Sequence, residues 1–201
     1  MEAQNLTRWN TNISVNPQIP CPRAAEAAAR GDFRKAANFI ERELAAALSS
    51  NPGSVRSLSL ADSLGEILLR MGKAQEASEV LETALDACLK SLGDDHPGYL
   101  KLANNLGCAL IAIGEAERAV KLLKHASSVR RKASGPSHLD TLTADNNLGC
   151  AYALLLDYKA AEGLFERVAA ERERCLGKDD VATVMTRDNL ARARKLILPD
   201  A

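Results

Sequence analysis

The stretch Asn104-Asn105-Leu106-Gly107-Cys108-Ala109 returns 42 residues later as Asn146-Asn147-Leu148-Gly149-Cys150-Ala151. One step further lies Asp188-Asn189-Leu190-Ala191, and one step back lies Asp62-Ser63-Leu64-Gly65. Other positions keep the same interval: Gly93, Gly135 and Gly177; His96, His138 and then Asp180; Ala77, Ala119 and Ala161; Leu81, Leu123 and Phe165. Gly72 and Gly114 match as well, although Leu156 breaks that series. So many matches in phase mark a tandem array of equivalent units.

Each unit reads as two helices. Leu100, Ala103, Leu106, Gly107, Leu110 and Ile111 recur at helical spacing and predict a first helix over roughly 97–113. Gly114 ends it. Ala119, Leu122, Leu123 and Ala126 predict a second helix over roughly 116–133, stopped by Gly135. Gly93-Asp94-Asp95-His96-Pro97 combines stop and start: a glycine to end one helix, Asp95 or His96 to cap the next, and a proline for its first turn. Gly107 and Gly149 are expected where the helices of one pair cross, with Ala119 and Ala161 opposite.

Composition agrees with a helical array. The chain has 201 residues, 46% hydrophobic but only 3% aromatic, so its core must come from Ala, Leu, Val and Ile. Lys and Arg number 26 and Asp and Glu number 26; this neutrality argues against broad nucleic-acid binding, which needs a clustered positive excess. No apolar run approaches the roughly 18 residues of a membrane span, and residues 1–20 do not read as a signal peptide. The five cysteines, Cys21, Cys88, Cys108, Cys150 and Cys175, form no C-x-x-C pair and are expected to be reduced thiols, with no metal site.

Leu148-Gly149-x-x-Tyr152, followed by Ala161 and Phe165, resembles the tetratricopeptide (TPR) pattern of leucine, small residue, tyrosine, alanine and phenylalanine. The period of 42, the Leu-Gly-Asp-Asp-His-Pro segment and the Asn-Asn-Leu-Gly segment resemble the kinesin light chain type, over about residues 55–196. A small, Ala-rich array without a heptad segment in 1–54 is most similar to the bacterial kinesin light chains found alongside bacterial tubulins. The resemblance implies an all-α, right-handed α-solenoid of TPR helix pairs. It also implies a non-enzymatic adaptor that binds a tubulin-like cytoskeletal filament and links it to membrane. A general peptide-binding adaptor in signalling or complex assembly is the alternative. Either reading places the protein in the cytoplasm, the first at the cytoskeleton.

Along the chain, residues 1–21 read as a flexible arm carrying the only Trp, Trp9, and residues 22–201 as a single domain. A shortened repeat spans 22–50, full repeats span 55–92, 97–134 and 139–176, and a capping helix spans 181–197.

If the first helix of each unit lines a concave face, helical geometry selects its open positions: Ser59, Asp62 and Glu66; Lys101, Asn104 and Cys108; Thr143, Asn146 and Cys150; Met185, Asp188 and Arg192. Asn is a poor mid-helix residue, so its repetition has a cost. Asn104 and Asn146, with Asn105 and Asn147 beside them, could therefore hold the backbone of an extended peptide, each amide offering a donor and an acceptor. Kinesin light chain repeats use concave-face asparagines on cargo, which supports that reading. The competing reading has one Asn of each pair satisfying an inter-repeat backbone group. Cys108 and Cys150 read as small side chains in tight space, and His96 and His138 as caps. No catalytic set and no cofactor motif can be assembled.

Local charge is uneven. Glu76, Glu79, Glu82 and Asp86 share one helix, whereas Arg118, Lys121, Lys124, Arg130, Arg131 and Lys132 share the corresponding helix of the next unit. The latter is a candidate basic surface for an acidic filament; ion pairing between neighbouring helices is the plainer account. Arg192, Arg194 and Lys195 beside Leu196 to Leu198 form the candidate for peripheral membrane contact.

Overall fold

A computed structural model describes residues 9–12 and 19–198. The rest of the expected arm, residues 1–8 and 13–18, lies outside the described residues. Among the described residues all regular structure is helical: α1 (Pro22–Ala29), α2 (Phe33–Ser50), α3 (Val55–Arg70), α4 (Ala74–Leu92), α5 (Pro97–Ala112), α6 (Ala116–Ser134), α7 (Leu139–Leu154), α8 (Tyr158–Leu176) and α9 (Val181–Ile197).

The repeated punctuation residues do equivalent work in each copy. Gly93, Gly135 and Gly177 end α4, α6 and α8 at φ of +89°, +89° and +92°, the left-handed region that a side chain opposes. Three acceptors then start the following helices. His96 Nδ1 accepts the Gly98 N–H at 3.0 Å, and His138 Nδ1 accepts the Asp140 N–H at 3.2 Å. At the same repeat position, Asp180 Oδ1 accepts from Ala182 and Thr183 at 2.9 and 3.3 Å. A nitrogen or a carboxylate oxygen serves equally, because a helix start needs only an acceptor for its orphan N–H groups.

The helices fall into two compact units, divided within α5 after Ala109. In the first, α1 packs on α2, α2 on α3 and α3 on α4, around Ala36, Ile40, Leu58, Leu60, Leu64 and Leu81. In the second, α6 packs on α7, α7 on α8 and α8 on α9, around Leu123, Leu142, Leu148, Phe165 and Val168. Residues 9–12 belong to this second unit.

The crossing within a helix pair differs from expectation by one turn. A Cβ at Gly65 would lie 2.6 Å from Leu81 Cδ2, and one at Gly149 would lie 2.6 Å from Phe165 Cε1. Thus Phe165, not Ala161, fills the space left by Gly149, and Leu81 stands in the same relation to Gly65. Helical side chains lean toward their own N-terminus, so the large residue one turn on covers the spot beside the small one.

Candidate functional site

In the second unit, α7 and α9 carry a row of polar side chains that are completely buried: Thr141, Asp145, Asn146 and Asn147 on α7, and Thr183, Thr186 and Asn189 on α9. Buried amides need partners, since an unmet donor or acceptor costs about 1–3 kcal/mol. The partner here is the segment Trp9–Asn12. Asn147 Oδ1 accepts the Asn12 N–H at 2.7 Å while its Nδ2 donates to the Asn12 carbonyl at 2.8 Å. Asn189 repeats the arrangement two residues earlier, with Asn10 N–H to Oδ1 and Nδ2 to Asn10 carbonyl both at 3.0 Å. Asn146 Nδ2 donates to the same carbonyl at 3.0 Å.

Side chains of the segment are held as well. The Trp9 ring stacks on Phe165 at a centroid distance of 5.9 Å and an interplanar angle of 18°, and the Arg192 guanidinium lies 5.3 Å from the Trp9 ring centroid. Gly149 makes room for the Phe165 ring, so the glycine of the repeat shapes the shelf on which Trp9 rests. Arg172, only 2% exposed, donates from Nη1 to Asn12 Oδ1 at 3.0 Å, Thr186 Oγ1 at 2.7 Å and the Ala182 carbonyl at 3.0 Å. Burial pulls this guanidinium down to about 10, against the opposing pull of the Asp180 carboxylate, and it stays cationic at neutral pH. Cys150 Sγ lies in the same floor, 3.5 Å from Asn189 Nδ2.

The corresponding positions of the first unit satisfy one another. Asn105 Nδ2 donates to Asp62 Oδ1 at 2.8 Å, and Lys101 Nζ pairs with Asp62 Oδ2 at 2.8 Å. Asp62 is 3% exposed, and burial pushes its carboxyl up from the ordinary range while Lys101 and Asn105 pull it back. Asn104 Nδ2 lies 3.4 Å from Asn105 Oδ1, and Glu66 pairs with Arg70 at 3.1 Å.

The expectation that the selected positions stand open to solvent is therefore corrected. Asp62, Glu66, Asn104, Asn105, Asn146 and Asn147 are all buried, with Cys108 and Cys150. Lys101 and Arg192 are half-buried, and Asp188 is exposed. The plain account of the basic surface, pairing between neighbouring helices, describes two of its six residues: Arg130 pairs with Asp140 at 2.9 Å and Arg131 with Asp145 at 2.9 Å, while Arg118 pairs with Glu115 at the start of its own helix. Asp145 also holds Arg167 at 2.8 Å. Arg130 is buried and Arg131 half-buried, leaving Lys121, Lys124 and Lys132 exposed along α6. Sequence reasoning passed over Asn189 and Arg172. Asn189 was findable, because it continues the series of Asn105 and Asn147 at the repeat interval.

Comparison with known proteins gives a consistent picture. A tetratricopeptide repeat family model matches residues 56–132 and 109–170. No curated protein matches the chain. Among solved structures, it is similar to a variant of a Podosopora anserina kinesin light chain-type protein with nearly identical TPR-like repeats. The identity is 25% and the TM-score 0.75, with 88% of this chain and 84% of that chain covered. A second structure of that protein gives 24%, 0.74 and the same coverage. BtubC (BKLC) from P. vanneervenii is 24% identical with a TM-score of 0.73, covering 87% of this chain and 70% of that one. The two family-model matches together take in more than half of the sequence, and with this helix-pair α-solenoid architecture the chain belongs to the tetratricopeptide repeat family.

Proposed function

We propose that the chain is a non-enzymatic adaptor that binds protein partners by holding a peptide main chain on the asparagines of α7 and α9. One observation carries this reading: Asn147 and Asn189 each bond both the N–H and the carbonyl of one residue of a non-helical segment. An amide that reads backbone tolerates many sequences, while the Phe165–Arg192 shelf and Arg172 add preference for particular side chains.

The test uses a chain lacking residues 1–20 and a synthetic peptide of those residues, followed by calorimetry. The peptide binds in trans, and Asn10→Pro or Asn12→Pro in the peptide abolishes binding, because proline removes the bonded N–H. No binding of the unmodified peptide would overturn the reading.

A tubulin-like filament as the partner is supported by the kinesin light chain resemblance, and the exposed Lys121, Lys124 and Lys132 suit an acidic lattice. A link to membrane through the basic end of α9 belongs to the same reading. Co-sedimentation with tubulin-like filaments separates the two contacts. Reversing these lysines to glutamate, or raising salt, weakens capture through α6, whereas Asn147→Ala with Asn189→Ala weakens capture through the groove.

A further inference from the structure

Within the first unit, α2 and α4 each pack on α3 and not on each other. Between them runs a trough of about 300 Å³. Leu44 and Leu48 of α2 form one wall, Val80 and Ala84 of α4 the other, and Leu58 and Ala61 of α3 the floor. The small side chains of α4 leave it open, and Leu48 is exposed at its rim. Helix α4 is strongly acidic: it carries Glu76, Glu79, Glu82 and Asp86 against one basic residue, Lys90. Glu79 lines the trough itself. On the α2 side Glu41 and Glu43 flank Arg42, with Glu43 paired to Arg56 at 2.6 Å, and Lys73 pairs with Glu76 at 2.8 Å.

The same chain carries the complement. The inner face of α9 packs on α8, and its outward face bears Val184 and Ala191 at seven-residue spacing, both exposed, Val184 at 42%, with Leu198 exposed at 62% immediately past the helix end. Exposed Arg187, Arg194 and Lys195 flank this stripe, against one acid, Asp188. Arg194 is held by Glu162 and Glu166 at 3.0 and 2.6 Å. An apolar helical stripe with basic edges is the shape and charge that an apolar trough with an acidic wall receives.

We infer that the outward face of α9 in one copy docks into the α2–α3–α4 trough of a second copy. The contact joins two different surfaces, so it is heterologous and extends into short chains at high concentration. Apolar contact supplies the affinity. The charges set the register and make association salt-dependent. A trough this small supports a weak, reversible contact.

Sedimentation velocity on the full chain tests this. Average mass rises above the monomer across about 10 µM to 1 mM protein at low salt, and association weakens roughly tenfold at about 0.5 M salt. Val80→Asp in the trough returns the chain to monomer. Two charge-reversed variants provide the decisive arm: Arg187→Glu with Lys195→Glu, and Glu79→Lys with Asp86→Lys. Each alone is monomeric, yet their mixture associates, because both cross-pairings then join opposite charges. Recovery in the mixture also shows that both variants fold. A wild-type monomer at every concentration overturns the inference. So does association that ignores Val80→Asp or the reversals, or α9-dependent binding to anionic vesicles by a chain that stays monomeric.

Discussion

Asn147 grips the Asn12 peptide unit at both ends, accepting its N–H at 2.7 Å and donating to its carbonyl at 2.8 Å across 135 residues of sequence. The amide that makes both bonds is completely buried. In such surroundings a half-satisfied amide is worse than none. The segment and the asparagines therefore depend on each other.

Asn147→Ala removes both bonds and leaves the Asn12 N–H and carbonyl without the amide that met them. At about 0.5–1.5 kcal/mol for each bond, docking of the segment weakens by about 1–3 kcal/mol. Trp9 is the only Trp in the chain, so its emission reports the event directly. The expected result is a red-shifted spectrum and stronger acrylamide quenching, with helix content unchanged. Unaltered Trp9 emission would show that Asn147 is not what holds the segment.

Two glycines of the same helix pair should respond in opposite ways. A Cβ at Gly149 would sit 2.6 Å from the Phe165 ring, whereas one at Gly163 meets nothing within 4 Å. Gly149→Ala forces the ring, and with it the Trp9 shelf, to move; overpacking of this kind costs about 1–3 kcal/mol. Gly163→Ala lies in an exposed helix interior and gains about 0.5–1 kcal/mol from reduced chain entropy. Thermal melts should show Tm falling by about 3–10 °C for the first and rising by a few degrees for the second. Equal shifts would mean that the Gly149–Phe165 contact is not under compression.

Much of the architecture was legible in the sequence because the residues that set it act locally. Gly93, Gly135 and Gly177 stop helices by their own backbone freedom, and His96, His138 and Asp180 start them by accepting from an N–H two residues on. Phase along the chain was enough to find these. The groove was less legible for two reasons. Which face of α7 carries its asparagines to a partner depends on how α9 packs, and that packing buries Asn146, Asn147 and Asn189 together. Trp9 and Asn12 meet α7, α8 and α9 across more than 130 residues, and nothing in a four-residue segment without periodicity announces such a contact. Arg172 was hidden for a related reason: a lone arginine in a charged helix reads as solvated until its neighbours are known.

The buried carboxylate of the first unit predicts a pH effect. Burial holds the Asp62 pKa above its ordinary value near 3.8, so the folded state binds that proton more tightly than the unfolded chain. The stability this gives is present in acid and is lost as pH rises through the unfolded value toward the folded one. At neutral pH the charged Asp62 therefore costs stability despite Lys101 at 2.8 Å. Asp62→Asn keeps an acceptor for Asn105 Nδ2 and leaves Lys101, 30% exposed, to water. Asparagine already stands at the equivalent position in Asn146. The variant should be more stable than wild type at pH 7, on the order of 1 kcal/mol, and urea titrations should show the gap closing as pH falls toward 4. A gap that is constant with pH would assign the effect to packing and not to ionisation.

Leu156 completes the helix-pair turn that Gly72 and Gly114 make elsewhere, at φ of +64° against their +74° and +85°. A left-handed residue with a β-carbon carries about 1–2 kcal/mol of steric strain. Its side chain is 65% exposed, so little packing offsets that strain. The Leu156 N–H donates to Ala153 O at 3.1 Å, and that bond survives substitution. Leu156→Gly relieves the strain but raises the entropy of the unfolded chain, which returns about 0.5–1 kcal/mol of the gain. The net expectation is stabilisation by about 0.5–1 kcal/mol, read as a higher urea midpoint with an unchanged slope. Leu156→Ala is the control: it shortens the side chain, keeps the strained backbone and should leave the midpoint where it was. If both variants shift the midpoint equally, the exposed leucine side chain, and not its backbone conformation, is the source of the cost.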